Sequence, residues 1–310
     1  MQLLYFFESI RNPVLNALMR GVTELGGESL YLATALAVYW CVNKYEGYYL
    51  LASGFLGTLI NQVLKLAFRI PRPWVLDPNF TIVESARAGA GGYSFPSGHT
   101  QSAVAVFGGL AMWHRDRRFR AGCAAAILLV MLSRMYLGVH TLLDVGVSLA
   151  VGLVLMVALY PLTKGVEARP QRLLPLLGVT LVLCLAYLCY VLAWPFPADL
   201  DRANWTLGIE TGWKFLGAVL GMLLAAFLDQ KYIHFSTDGP FLCQVLKTAL
   251  GLTLAVLLKG VLKAPLTALL GGKYVAYAVR YFIVVVFAAA VWPLSFPLLT
   301  GKQKKEAEHE

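Results

Sequence analysis

Nine apolar stretches, each near the ~20 residues that a helix needs to cross a bilayer, dominate this chain. They lie at approximately 28–43, 46–68, 99–113, 119–137, 141–163, 172–194, 211–229, 241–263 and 274–298. In hydrocarbon, backbone N–H and C=O groups must be satisfied internally, so these stretches are helices rather than open strands. The third is short and is expected to extend past its charged end. Only 14% of the residues are charged and 58% are hydrophobic. A soluble domain carries roughly a quarter charged residues. The expected fold class is therefore all-α, a polytopic transmembrane helix bundle of about nine spanning helices.

Ahead of these stretches, residues 1–22 read as an amphipathic interfacial helix. Leu3, Phe7, Ile10, Val14 and Leu18 share one face, and Gln2, Ser9, Asn12, Asn16 and Arg20 the other. Arg11 falls on the apolar side, and Pro13 is expected to kink the helix. Met1–Phe7 has no basic n-region, so a cleavable leader is not expected. The five cysteines sit in or beside apolar runs without metal-type pair spacing and read as small packing residues.

The formal net charge is +9, but the basic residues form short clusters between apolar stretches. That distribution orients a protein in a membrane and argues against a nucleic-acid partner. Alternating helices put Lys44, the Arg115–Arg120 cluster, Lys164, Arg169, Arg172, Lys231 and Lys302–Lys305 on one side, expected to be cytoplasmic. The loops 69–98, 138–140, 195–210 and 264–273 then face outward or into a lumen. The C-terminal tail, 301–310, is expected to be a solvated cytoplasmic end. Nothing in the sequence specifies an oligomeric state.

Three blocks on the outward side carry chemistry. Lys65 and Arg69 end the second stretch, one helical turn apart, and Arg72 follows Pro71, which breaks the helix. Like charges at that spacing repel; cations gathered so suit a polyanion such as phosphate. The second block, Pro96-Ser97-Gly98-His99, opens the third stretch. Ser97 is a candidate N-cap, and Gly98 allows close backbone approach to an anion at the helix start. The third is Ser133-Arg134, then His140 and Asp144. If the fifth helix begins near His140, Asp144 lies one turn on and can orient the imidazole. Each block alone has a plainer reading: interfacial flanking, an ordinary loop–helix junction, a structural histidine. His99 and His140 are, however, the histidines that topology places beside these cations.

The blocks K-x6-R-P, P-S-G-H and S-R-x5-H-x3-D resemble the signature of the type 2 phosphatidic acid phosphatase superfamily, with all eleven specified positions filled in order. The resemblance covers about residues 60–150. It implies an integral membrane phosphatase with a lipid phosphate substrate. It further implies that His140 is the nucleophile, that Asp144 orients it, and that His99 is the general acid. Lys65, Arg72, Ser97, Gly98 and Arg134 would hold the phosphoryl oxygens. The scheme that the resemblance implies needs no metal or other cofactor, and the outward side also lacks an evident third ligand of the H-E-x-x-H or carboxylate-cluster type.

Many members of that superfamily have six spans. The longer pattern here is similar to glucose-6-phosphatases and to some sphingosine-phosphate phosphatases. The expected organisation is a catalytic membrane domain over 1–165, further transmembrane helices over 166–300, and the tail. Lys214, Lys259 and Arg280 either widen a polar pocket or snorkel. The loop 195–210, with Trp194, Asp199, Asp201, Trp205 and Glu210, is a candidate cover; its tryptophans also suit interfacial anchoring. Tyr93 and Phe95 either contact a substrate tail or pack. A sugar phosphatase, transfer to an acceptor alcohol, and an anion transporter without turnover are the competing readings.

Overall fold

The computed structural model describes residues 1–197 and 200–300; Asp199 and the tail 301–310 lie outside them. Among the described residues the regular elements are helices, without a strand. Seven helical segments among the described residues are long and apolar enough to cross a membrane: Lys44–Leu76, Arg117–Tyr136, Leu142–Ala168, Pro170–Ala193, Arg202–Ile233, Phe241–Leu269 and Lys273–Thr300. The other two of the nine stretches form shorter helices, Glu28–Cys41 with 14 residues and the run Gly98–Trp113.

The N-terminal segment differs from the single kinked helix expected. It forms α1 (Gln2–Ser9) and α2 (Pro13–Glu24). Pro13 starts a helix instead of bending one, because its missing N–H would be unsatisfied in a first turn anyway. Asn12 caps α2, its side chain accepting from the Leu15 N–H at 2.9 Å. Arg11, the residue that broke the amphipathic pattern, donates to the carbonyls of Tyr136 (3.1 Å) and Thr81 (2.8 Å). A side-chain donor thereby satisfies carbonyls that no helix serves.

The chain divides into two compact units. One comprises Met1–Ala35, Tyr49–Leu162 and Pro195–Gly208. It contains α1, α2, most of α3 (Glu28–Cys41) and α4 (Lys44–Phe68), then α5 (Pro73–Leu76). Next, α6 (Gly98–Ala103) runs through a π-helical turn, Val104–Gly108, into α7 (Gly109–Trp113). This is followed by α8 (Arg117–Tyr136) and by α9 (Leu142–Ala168) as far as Leu162. Its core packs Leu4, Phe80, Val104, Val130, Met135 and Val145 together. Gly138 makes the turn between α8 and α9 at φ +81°, which a side chain would resist. A Cβ there would also stand 2.7 Å from an Arg11 guanidinium nitrogen.

The second unit comprises, of the described residues, Leu36–Tyr48, Thr163–Trp194 and those from Ile209 to Thr300. It is built on α10 (Leu173–Ala193), α11 (Arg202–Leu228) from Ile209 onward, its first residues through Gly208 belonging to the first unit, then α12 (Phe241–Val261), α13 (Lys263–Leu269), α14 (Lys273–Val286) and α15 (Phe296–Thr300). Pro293 lacks the N–H that would bond the Ala289 carbonyl, and the Tyr39 hydroxyl donates there instead, at 3.1 Å. Trp40 Nε1 likewise donates to the Ala288 carbonyl at 2.9 Å. The cations Lys214 and Lys259 lie over the rings of Tyr277 and Tyr281, at 4.8 and 5.5 Å. Arg280, between the same rings, is buried. Stacking on aromatic faces is a low-cost way to hold such cations among apolar helices.

Candidate active site

The first cations sit where α4 is forced to stop. Ile70 precedes Pro71 and is disfavoured from helical geometry, so α4 ends at Phe68 and Arg69 turns into the left-handed region at φ +51°. Lys65, in the last turn, donates through Nζ to the Tyr93 carbonyl at 2.8 Å. Arg72 is buried and spreads its guanidinium over the same loop: Nε to the Gly92 carbonyl (2.9 Å) and Nη2 to the Gly91 carbonyl (2.8 Å). Its Nη1 donates to the Val139 carbonyl and lies 2.9 Å from His140 Nε2. Arg69 and Arg72 both line a cavity of about 540 Å³, with Tyr93, Asp201 and Asn204.

Ser97 caps α6, its hydroxyl oxygen accepting from the Thr100 N–H at 3.4 Å and from the Thr100 hydroxyl at 3.1 Å. The exposed Gly98 and half-buried His99 follow in the first turn. Arg134, buried near the end of α8, donates to the Thr23 hydroxyl at 2.9 Å, and its Nε has no partner. A buried guanidinium N–H without an acceptor is costly, and an anion would relieve it.

His140 and Asp144 meet by a route other than the one expected. The helix begins at Leu142, so the histidine stands just ahead of it rather than on its first turn. Thr141 starts α9 with a capping box: its N–H donates to Asp144 Oδ2 at 2.7 Å and its hydroxyl accepts from the Asp144 N–H at 3.3 Å. Ser94, fully buried, also donates to Asp144 Oδ2, at 2.5 Å. The pinned carboxylate lies 3.4 Å from His140 Nδ1, while Nε2 points at Arg72. Both contacts fit the tautomer with the proton on Nδ1 and a lone pair on Nε2. Burial first, then the charges of Arg72, Arg134 and Lys65, hold the pKa of His140 well below the usual histidine value. His99 is close enough for its charge to bear on His140 as well.

Lys65, Arg72, Arg134, His99, His140 and Asp144 are thus gathered into one neighbourhood, with Ser97 tied to it by its N–H, which donates to the Asp144 carbonyl at 3.2 Å. The sequence reading missed the groups that hold them: Ser94, Thr141, Thr23 and the carbonyls of Gly91–Tyr93. Of these, only Thr141 carried a local signal, the T-x-x-D capping pattern. Phe95 packs against Phe68 with ring centroids 5.2 Å apart. In the 195–210 segment, Asp201 and Asn204 reach Tyr93.

Residues 46–168 match the model of the PAP2 superfamily, and residues 213–304 match that of the PAP2 superfamily phosphatase, transmembrane extension. The undecaprenyl-diphosphatase of Bacillus subtilis (strain 168) is 31% identical over 150 residues, 47% of this chain and 74% of the relative. The chain belongs to the PAP2 superfamily. It is a phosphatase of the type 2 phosphatidic acid phosphatase kind and an integral membrane protein. The B. subtilis phosphatidylglycerophosphatase B is 29% identical over 181 residues, 53% of this chain and 80% of that protein. Human sphingosine-1-phosphate phosphatase 2 is 28% identical over 187 residues, 58% of this chain and 46% of its own length. No solved structure matches the chain.

Within the PAP2 region the hydroxyl of Ser94 is a test of how far orientation of Asp144 matters. If Asp144 orients His140, Ser94→Ala is expected to lower kcat about tenfold with KM little changed, the scale common for loss of an outer hydrogen bond. Steady-state kinetics on the purified variant check this; an unaltered kcat would show that Thr141 alone suffices.

Proposed function

We propose that this protein hydrolyses a phosphate ester or diphosphate of a membrane lipid, without a metal, through a phosphohistidine intermediate. The observation that carries the reading is His140, buried with Nδ1 towards a pinned carboxylate and Nε2 towards Arg72, among three cations. Nε2 attacks phosphorus, forming a P–N bond as the P–O bond to the leaving group breaks. The departing oxygen takes its proton from His99. His99 then accepts a proton from water, whose oxygen attacks phosphorus and breaks the P–N bond, releasing inorganic phosphate and restoring His140. Lys65, Arg72 and Arg134, with the Ser97 hydroxyl and the Gly98 amide, hold the phosphoryl oxygens; phosphoryl transfer depends mainly on such charge stabilisation and in-line positioning. The unpartnered Arg134 Nε supports an anion at this place.

The substrate is read as a lipid because the three named relatives act on phosphatidylglycerophosphate, sphingosine 1-phosphate or undecaprenyl diphosphate. Polyprenyl diphosphate, phosphatidate, phosphatidylglycerophosphate and sphingoid phosphate are the candidates. We place the site on the extracytoplasmic or lumenal side, with nine crossings and a cytoplasmic C-terminus. A crossing by α6–α7 is supported by its course beside α8. The Ser97 N–H bonds the start of α9 at one end, and Arg120 bonds the Ala111 carbonyl at the other. The exposed Leu3, Ile10, Val14 and Leu18 suit a segment lying on the bilayer surface. We assign catalysis to 1–165 and read 166–300 as additional helices.

The test is phosphate release by detergent-purified protein from a panel of lipid phosphates plus glucose 6-phosphate, with excess chelator present. Chelator-resistant release from one lipid class is expected. Release from glucose 6-phosphate alone would move the protein to the sugar-phosphatase reading. Release that requires an added alcohol would indicate transfer, and none from any substrate would favour anion binding without turnover.

A further inference from the structure

We propose that Asn204 is a positioning residue for the phosphate-binding cations, acting through the loop Gly91–Tyr93. This rests on the reading of Lys65 and Arg72 as groups that hold the phosphoryl oxygens. Three consecutive carbonyls, Gly91, Gly92 and Tyr93, accept from Arg72 Nη2, Arg72 Nε and Lys65 Nζ at 2.8–2.9 Å. Where that loop stands therefore fixes where both cations point. What holds the loop is remote in sequence. Asn204 Oδ1 accepts from the Tyr93 N–H at 2.9 Å, and Asn204 Nδ2 donates to Asp201 Oδ2 at 2.8 Å. The Asp201 N–H in turn donates to the Tyr93 hydroxyl at 3.3 Å, so Tyr93 is gripped at its backbone and at its ring end. Asp201 Oδ1 accepts from the Ala203 N–H at 2.8 Å, which anchors the grip to the start of α11.

Gly92 gives a second, independent observation. Its φ is +76°, and a Cβ at that position would stand 2.7 Å from Asn204 Oδ1. The loop is thus shaped to let the amide of Asn204 come against its backbone. Asn204 itself is buried, where an amide is retained only if its bonds are made. It lies outside residues 46–168, so the PAP2 region is completed by a residue from the helix beyond it.

The measurement is inhibition by orthovanadate, an inorganic phosphate analogue, together with kcat, KM and the thermal midpoint, on the full chain in detergent. Asn204→Ala is expected to weaken vanadate binding about tenfold and to lower kcat/KM by about ten- to a hundredfold, with little change in the midpoint. Asn204→Asp keeps the acceptor for the Tyr93 N–H but faces a second carboxylate at Asp201. The double variant Asn204→Asp with Asp201→Asn restores a donor–acceptor pair and should recover most of the vanadate affinity. That pair decides the matter if Asn204→Ala does not fold. Arg72→Ala is the reference. Should it lose vanadate binding while Asn204→Ala keeps parental constants, or should the double variant be no better than Asn204→Asp, the positioning role is wrong. If Arg72→Ala itself binds vanadate as the parent does, the assignment of the cations falls first.

Discussion

Replacing His140 by alanine is expected to lower phosphate release by about four orders of magnitude or more, the scale seen when a covalent nucleophile is removed. The variant should still fold. Asp144 keeps its bonds from Ser94 and from the Thr141 N–H, and Arg72 keeps three carbonyl acceptors. Removing the ring also removes a buried nitrogen, Nδ1, that makes no good hydrogen bond. With radiolabelled substrate quenched in alkali, the parent should retain label on protein that acid then releases, and the variant should retain none. A pH measurement separates chemistry from folding. His140 is held well below its usual pKa, chiefly by burial, so the unfolded chain takes up a proton near pH ~6.5 that the folded chain refuses. The stability tied to this group is therefore full above that pH and is lost as pH falls through it. The variant's thermal midpoint should drop less than the parent's between about pH 7 and pH 5. Near-parental turnover in the alanine variant would sink the nucleophile assignment outright.

The residues that carry charge were legible in the sequence because their types are expensive in a membrane and their order is a signature. Lys65, Arg72, Arg134, His99, His140 and Asp144 stand out by residue type and spacing alone. Their supports do not, for a physical reason. A backbone carbonyl has no residue type, so the acceptors at Gly91, Gly92 and Tyr93 leave no mark in the sequence. Ser94 and Thr23 are small hydroxyl residues that would be equally ordinary in a loop or a cap. Asn204 lies far along the chain from Tyr93, and only tertiary structure joins them. The contact of His140 with Asp144 shows a related limit. Spacing suggested a shared helical turn, but Thr141 competes for the N-cap and moves the helix start past the histidine. At the N-terminus the same competition favoured Asn12 and Pro13 as a helix start over a continuous kinked helix. Apolar length, by contrast, was directly readable, and it was least secure where a stretch was short, as in 28–43 and 99–113.

Arg72→Ala is expected to reduce kcat/KM by about a thousandfold, and Arg72→Lys by about a hundredfold, because the shape of the group matters as well as its charge. The guanidinium reaches two consecutive loop carbonyls with Nε and Nη2 while Nη1 faces Val139 and His140. A lysine ammonium is a point donor on a flexible stem and cannot span these acceptors in one plane. Without a substrate, Arg72 Nη1 shares the Nε2 lone pair that the proposed chemistry uses. An arriving phosphoryl oxygen can take over that N–H, freeing the lone pair as the phosphorus comes within reach. Arg72 would thus shield the nucleophile at rest and bind the oxyanion in the transition state. Two consequences distinguish this from a purely electrostatic role. Arg72→Lys should lose more in kcat than in substrate affinity, since charge is kept and alignment is not. It should also leave His140 more open, so that alkylation of the imidazole by a small reagent proceeds faster than in the parent. Parental kcat in Arg72→Lys would show that the planar fork is dispensable and that positive charge alone serves the site.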